Sequence, residues 1–108
     1  MKEIKVMLVC GGGASSGFLA QSMRRSAEAK GVIMDVFARS ESDVENYKND
    51  IDVLLVGPHL KYLLPDIEKR LESTNAYAEI VDDMVYATLN GEKAVNRVLE
   101  ILKEKKDE

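Results

Sequence analysis

Only one cysteine, Cys10, occurs in the 108 residues, so no disulfide can form within the chain and a reducing, cytoplasmic setting is expected. No apolar run approaches the roughly 18 residues that a bilayer-spanning helix takes. Nor does the start read as a secretory leader, because Met1-Lys2-Glu3 precedes an apolar segment only about as long as a strand. Basic residues are in the minority, 15 Lys and Arg against 19 Asp and Glu. The resulting net charge of -4 argues against nucleic acid, whose phosphate backbone requires a basic face. Repeats, linkers and low-complexity tracts are missing apart from the all-charged tail, Lys103 to Glu108, which is expected to fray. Metal-ligand clusters are missing too. Asp82 and Asp83 are adjacent, and neighbours on an extended chain point in different directions.

What is present fits one domain over residues 1–108, with 45% hydrophobic and 31% charged residues. Four segments read as strands: 4–9, 32–38, 51–56 and 78–81. The first and third are almost continuously apolar, as suits central strands covered on both faces. Helical patterns fill the gaps. Phe18, Leu19, Met23 and Ala27 fall on one face, and Gly31 is a natural stop. Ser40 reads as an N-cap with Val44 and Tyr47 facing inward, and Pro65 opens a helix that buries Ile67 and Leu71. After Asn90-Gly91, a last helix carries Ala94, Val95, Val98, Leu99 and Leu102 at i, i+3, i+4 spacing. Strands alternating with helices predict an α/β fold: a three-layer domain with a four-stranded parallel sheet, order 2-1-3-4, and helices on both faces. That is a flavodoxin-like or low-molecular-weight-phosphatase-like architecture. Ligands of such sheets bind beyond the carboxyl ends of the strands where the order reverses; if the first and third strands are neighbours, as in the flavodoxin-like order, that point lies beside Cys10 and Gly57.

The stretch from Cys10 through Gly11, Gly12, Gly13, Ala14, Ser15 and Ser16 to Gly17 carries the chemistry. A thiolate is the nucleophilic form of cysteine, and a helix N-terminus favours it by stabilising negative charge. Backbone N–H groups along the glycines can converge on an anion, and the serine hydroxyls can cap the helix or donate to the same oxygens. A buried structural cysteine is the plain alternative. Other phosphate motifs fail on particular residues. A Walker A loop needs a lysine, and none occurs between Lys5 and Lys30. The dinucleotide fingerprint would need its third glycine where Ser16 stands. The C-x5-R loop of small tyrosine phosphatases would need arginine at that same Ser16, and without that guanidinium hydrolysis is disfavoured.

Over essentially its whole length the chain resembles the IIB component of lactose/cellobiose-type sugar phosphotransferase systems. Three segments carry the likeness: the loop from Cys10 to Gly17, the stretch from Val56-Gly57-Pro58-His59 to Pro65, and Ile80-Val81-Asp82 to Tyr86 with Asn90-Gly91. The family loop commonly has methionine followed by Ser-Thr-Ser, where this one has Ala14-Ser15-Ser16-Gly17. The resemblance implies that Cys10 accepts a phosphoryl group from the phosphohistidine of a IIA partner. It implies that Gly11 to Gly17 hold the group until a sugar takes it. That sugar would be a disaccharide such as cellobiose, chitobiose or lactose, bound in a IIC membrane permease. No cofactor is implied, and the domain meets the inner face of the membrane only through the permease, without inserting. Pro58, His59 and Asp82 are assigned to the rim of the site or to partner contact. His59 stands where glutamine is frequent, and transfer in the family uses no histidine on this component. A non-transferring relative that only binds anions is a further alternative. Arg24 and Arg25 read as a solvated or partner-facing surface, and the scattered tyrosines and the methionines as packing.

Overall fold

An apolar hexapeptide, β1 (Ile4–Val9), forms the hub of the fold, with its last four residues fully buried. Parallel strands flank it on both sides, β2 (Met34–Arg39) and β3 (Val53–Val56), and β4 (Tyr77–Ile80) pairs with β3 in the order β2-β1-β3-β4. These positions come from a computed structural model that describes residues 3–9 and 14–106. Alternate residues of a strand face opposite ways, and this builds two cores. Val6, Leu8, Val53 and Leu55 face α1 (Ala14–Ala29) and α5 (Gly91–Lys106), where Leu19, Met23, Val95 and Val98 are buried. Met7, Val9, Leu54 and Val56 face α2 (Val44–Tyr47) and α3 (Leu64–Leu71), through Val44, Ile67 and Leu71. Each such side chain contributes roughly 1.5–3 kcal/mol by leaving water. The expected three layers, strand order and helix placement are all present among the described residues.

Boundaries differ where local hydrogen bonds overrule the hydrophobic pattern. Strand β2 starts at Met34, not at residue 32, because the amide of Val32 is committed to the carbonyl of Ala27 at 2.9 Å. Together with the Gly31 amide donating to Glu28 and a Gly31 φ of +73°, this closes α1 in a Schellman turn. Strand β3 starts at Val53, and just before it the Asp52 carboxylate accepts the Lys5 amide at 2.8 Å. Ser40 does not cap a backbone amide. Its hydroxyl pairs with that of Ser42 at 2.8 Å, and a 3₁₀ turn, Glu41–Asp43, leads into α2.

Three side-chain expectations are also corrected. Phe18 is 58% exposed, since the inward stripe of α1 runs through Leu19, Ala20, Met23 and Ala27 and leaves Phe18 on its flank. On α5 the buried position of the last turns is Ile101, while Leu99 and Leu102 are half-buried. Helix α5 continues through Lys106, with Arg97 reaching Glu104 at 3.5 Å. Arg97 also clamps Glu79 through two 2.6 Å hydrogen bonds, fixing α5 to the edge strand β4. The hydrogen bond to Glu79 is the main cause holding this guanidinium above its ordinary range, although partial exposure keeps the pair to about 1 kcal/mol or less. At the other edge, Arg24 is not merely solvated: it donates to the Val36 carbonyl of β2 at 2.6 Å.

Candidate active site at the carboxyl ends of the strands

The order β2-β1-β3 means that the chain leaves β1 for one side and returns past it to the other, so the crevice lies beyond Val9 and Val56. Cys10, Gly11, Gly12 and Gly13, which follow Val9, lie outside the described residues. Helix α1 begins at Ala14, so the expected phosphate-binding residues Ala14, Ser15, Ser16 and Gly17 make up its first turn. The first four N–H groups of a helix have no partner within it, and together with the helix dipole they favour an anion at this end. Ser16 is 2% exposed, which places its hydroxyl among packed atoms. Gly17 has open space where a Cβ would stand, so its glycine identity is not required by neighbouring atoms.

Gly57 sits directly beside this end of β1, its amide donating to the Val9 carbonyl at 3.3 Å. A Cβ on Gly57 would lie 2.7 Å from Cε1 and 3.0 Å from Nδ1 of His59, and 3.5 Å from Cε2 of Tyr86. The two rings therefore close over the bare glycine, with centroids 5.4 Å apart and planes tilted by 54°. Pro58 is half-buried at the start of a 3₁₀ segment, Pro58–Leu63, and His59 is exposed. Sequence reasoning treated Tyr86 only as packing; its partnership with His59 depends on the turn after β4, which carries no strong periodic signal.

Asp82 has a defined local task. Its carboxylate accepts the amides of Met84 at 3.0 Å and Val85 at 3.3 Å, capping the short helix α4 (Asp83–Ala87). This helix replaces the plain strand-end loop expected at Asp82-Asp83. Asp82→Ala is expected to lose about 1 kcal/mol, read as a lower urea midpoint, with Asp82→Asn recovering most of it. An unchanged midpoint in the alanine variant would remove the capping role.

Two large side chains expected to pack do not: Tyr62 is 72% and Met84 67% exposed. With Phe18, both stand on segments that follow the carboxyl ends of strands. Arg39 pairs in register with Val9 at the same end. Its guanidinium lies over the rings of Phe37, at 5.4 Å, and Tyr47, at 5.7 Å, and its hydrogen bond to the Tyr47 hydroxyl is the chief cause raising its pKa. Among the described residues no helix is long and apolar enough to cross a membrane.

The same arrangement recurs in known proteins. The chain is 26% identical, over 91% of its length and 95% of the relative's, to the oligo-beta-mannoside-specific EIIB component of the Bacillus subtilis phosphotransferase system (PTS). It is 25% identical to the galactose-specific and cellobiose-specific EIIB components of Lactococcus lactis, covering 88% of this chain and 93% of each. In fold it resembles the lactose-specific IIB domain of Streptococcus pneumoniae, with a TM-score of 0.83 at 22% identity, covering 92% of this chain and 97% of that one. It also resembles the cellobiose-specific IIB protein of Borrelia burgdorferi, with a TM-score of 0.79 at 25% identity, covering 96% and 95%. Residues 5–97 match the family described as "PTS system, Lactose/Cellobiose specific IIB subunit", and the chain, a phosphotransferase-system component with a flavodoxin-like fold, belongs to that family.

Proposed function

We propose that the protein is a phosphoryl carrier in sugar uptake, with Cys10 as the residue that is phosphorylated. The Cys10 thiolate attacks the phosphohistidine of a IIA partner. The S–P bond forms as the N–P bond breaks, and the donor imidazole keeps the electron pair of that bond. The sugar hydroxyl, presented by a IIC permease at the membrane's cytoplasmic face, then takes the phosphoryl group: the O–P bond forms as the S–P bond breaks, sulfur keeps that electron pair, and the hydroxyl proton passes to solvent. The relatives' names point to oligo-beta-mannoside, galactose and cellobiose, and a disaccharide related to cellobiose is the substrate class we assign.

The observation that supports this reading most is positional. Strand β1 ends with Val9 at the switch point of a parallel sheet, and in the sequence Cys10 comes next, four residues before a 16-residue helix whose N-terminus favours an anion. Gly11 to Gly17 hold the captured group with neutral donors. Without arginine, the loop stabilises the phosphoryl group but does little to speed attack by water. Intact-mass measurement after incubation with a phosphorylated IIA protein is expected to show one added phosphoryl group, mapped to Cys10. No adduct would overturn the proposal, and steady turnover of an artificial phosphoester would favour a phosphatase instead.

A further inference from the structure

We propose that the outer edge of β4 docks an extended, basic segment of a partner protein, which pairs with it as an added strand. The inference does not depend on Cys10. Alternate residues of a paired strand turn their amide and carbonyl to opposite sides. The amides of Tyr77 and Val81 donate towards β3, to the carbonyls of Asp52 at 3.1 Å and Val56 at 2.8 Å. Ala78 and Ile80 therefore turn their N–H and C=O groups away from β3, where the sheet ends. Among the described residues these groups have no hydrogen-bond partner. The opposite edge differs: the outward carbonyl of Val36 on β2 is occupied by the Arg24 guanidinium at 2.6 Å. An unpaired edge is a template for another strand unless something blocks it.

The same edge borders a hollow. Helices α3 and α5 lie on opposite faces of the sheet. Yet Glu68 and Leu71 of α3 and Arg97 and Ile101 of α5 line one concavity together with Ala78 and Glu79. Helices on opposite faces can share a hollow only around the free edge. Its charge selects the occupant. Among the described residues, the carboxylates of Glu68, Glu72, Glu79 and Glu104 line it against the single guanidinium of Arg97. Glu68, Glu72 and Glu104 are exposed, and Ala78 and Ile80 are half-buried, so the edge can be reached. An added strand turns alternate side chains to the two faces, and lysines or arginines on it would meet carboxylates. Backbone pairing supplies affinity and the carboxylates supply selectivity. A second copy of this chain is a poor occupant, because it would set one acidic hollow against another.

The probe is a short, end-blocked peptide of alternating lysine and valine, titrated into the full-length, ¹⁵N-labelled chain at low salt. We expect the amides of Ala78 and Ile80 to shift most and their hydrogen exchange to slow at least about tenfold at saturation, as one new hydrogen bond requires. Ala78→Pro removes an outward N–H without touching the β3 ladder, and edge strands tolerate proline. It should weaken binding about tenfold, with the melting temperature as a folding control. Should that variant fail to fold, the exposed pair Glu68→Gln with Glu72→Gln decides, with an expected loss of about threefold or more. Shifts that map elsewhere, unchanged affinity in the folded variants, or equal binding of a glutamate–valine peptide would overturn the proposal. Concentration-dependent shifts of the same amides without peptide would make a second copy the occupant and overturn it as well.

Discussion

Cys10→Ser is expected to abolish phosphoryl acceptance from a phosphorylated IIA protein while leaving the melting temperature within a few degrees of wild type. Serine is close to cysteine in shape, but its hydroxyl is a poor nucleophile unless a base removes its proton. A thiol needs far less help, because a helix N-terminus already shifts it towards the thiolate. The expected loss is at least ~100-fold in rate, the lower end of what a dedicated general base contributes. Stopped-flow or quench assays with intact-mass readout measure it directly. Acceptance by the serine variant at anything near the wild-type rate would mean that the phosphoryl group resides elsewhere on the chain.

The second large effect is expected far from the thiol. Gly91 opens α5 where that helix meets the middle of α1, and its amide donates to the Ser22 hydroxyl at 3.1 Å. A Cβ there would fall on the carbonyl carbon and the hydroxyl of Ser22, closer than real side chains approach. Ser22 lies inside a 16-residue helix, so its backbone has no slack with which to yield. Gly91→Ala must therefore part α1 from α5 and loosen the core formed by Leu19, Met23, Ala94 and Val95. We expect a loss of about 3 kcal/mol, the upper range for forced overpacking, and a fall in melting temperature of roughly 15 °C. A Gly91→Ala variant melting within ~3 °C of wild type would show that the helix seam is looser than described.

These two residues mark how far reading the chain alone reaches. Cys10 is a candidate from the sequence alone because its neighbours state their chemistry in linear order: an apolar strand, a thiol, three glycines and two serines. The central strands were readable for a similar reason. Val6 to Val9 and Val53 to Val56 are buried on both faces, and that demand leaves an unbroken apolar run. The short helix α4 was missed, since five residues are too few to show a helical period against a flanking strand. Phe18 and Met84 were placed inside on hydrophobicity, which records a preference for burial but not whether room remains beneath the helix.

The amino-acid sequence by itself determined the strand–helix alternation, the place of the one cysteine directly after the first strand, and the absence of the lysine or arginine that other phosphate-binding loops require. Tertiary structure alone decided that the rings of His59 and Tyr86 lie over Gly57. It also decided that Gly91 must be bare because the backbone of α1 passes against it. The physical reason is common to both. Local patterns report which face of an element avoids water, but the closest approach of two atoms depends on where separate elements come to rest, and Gly91 and Ser22 are 69 residues apart in the chain.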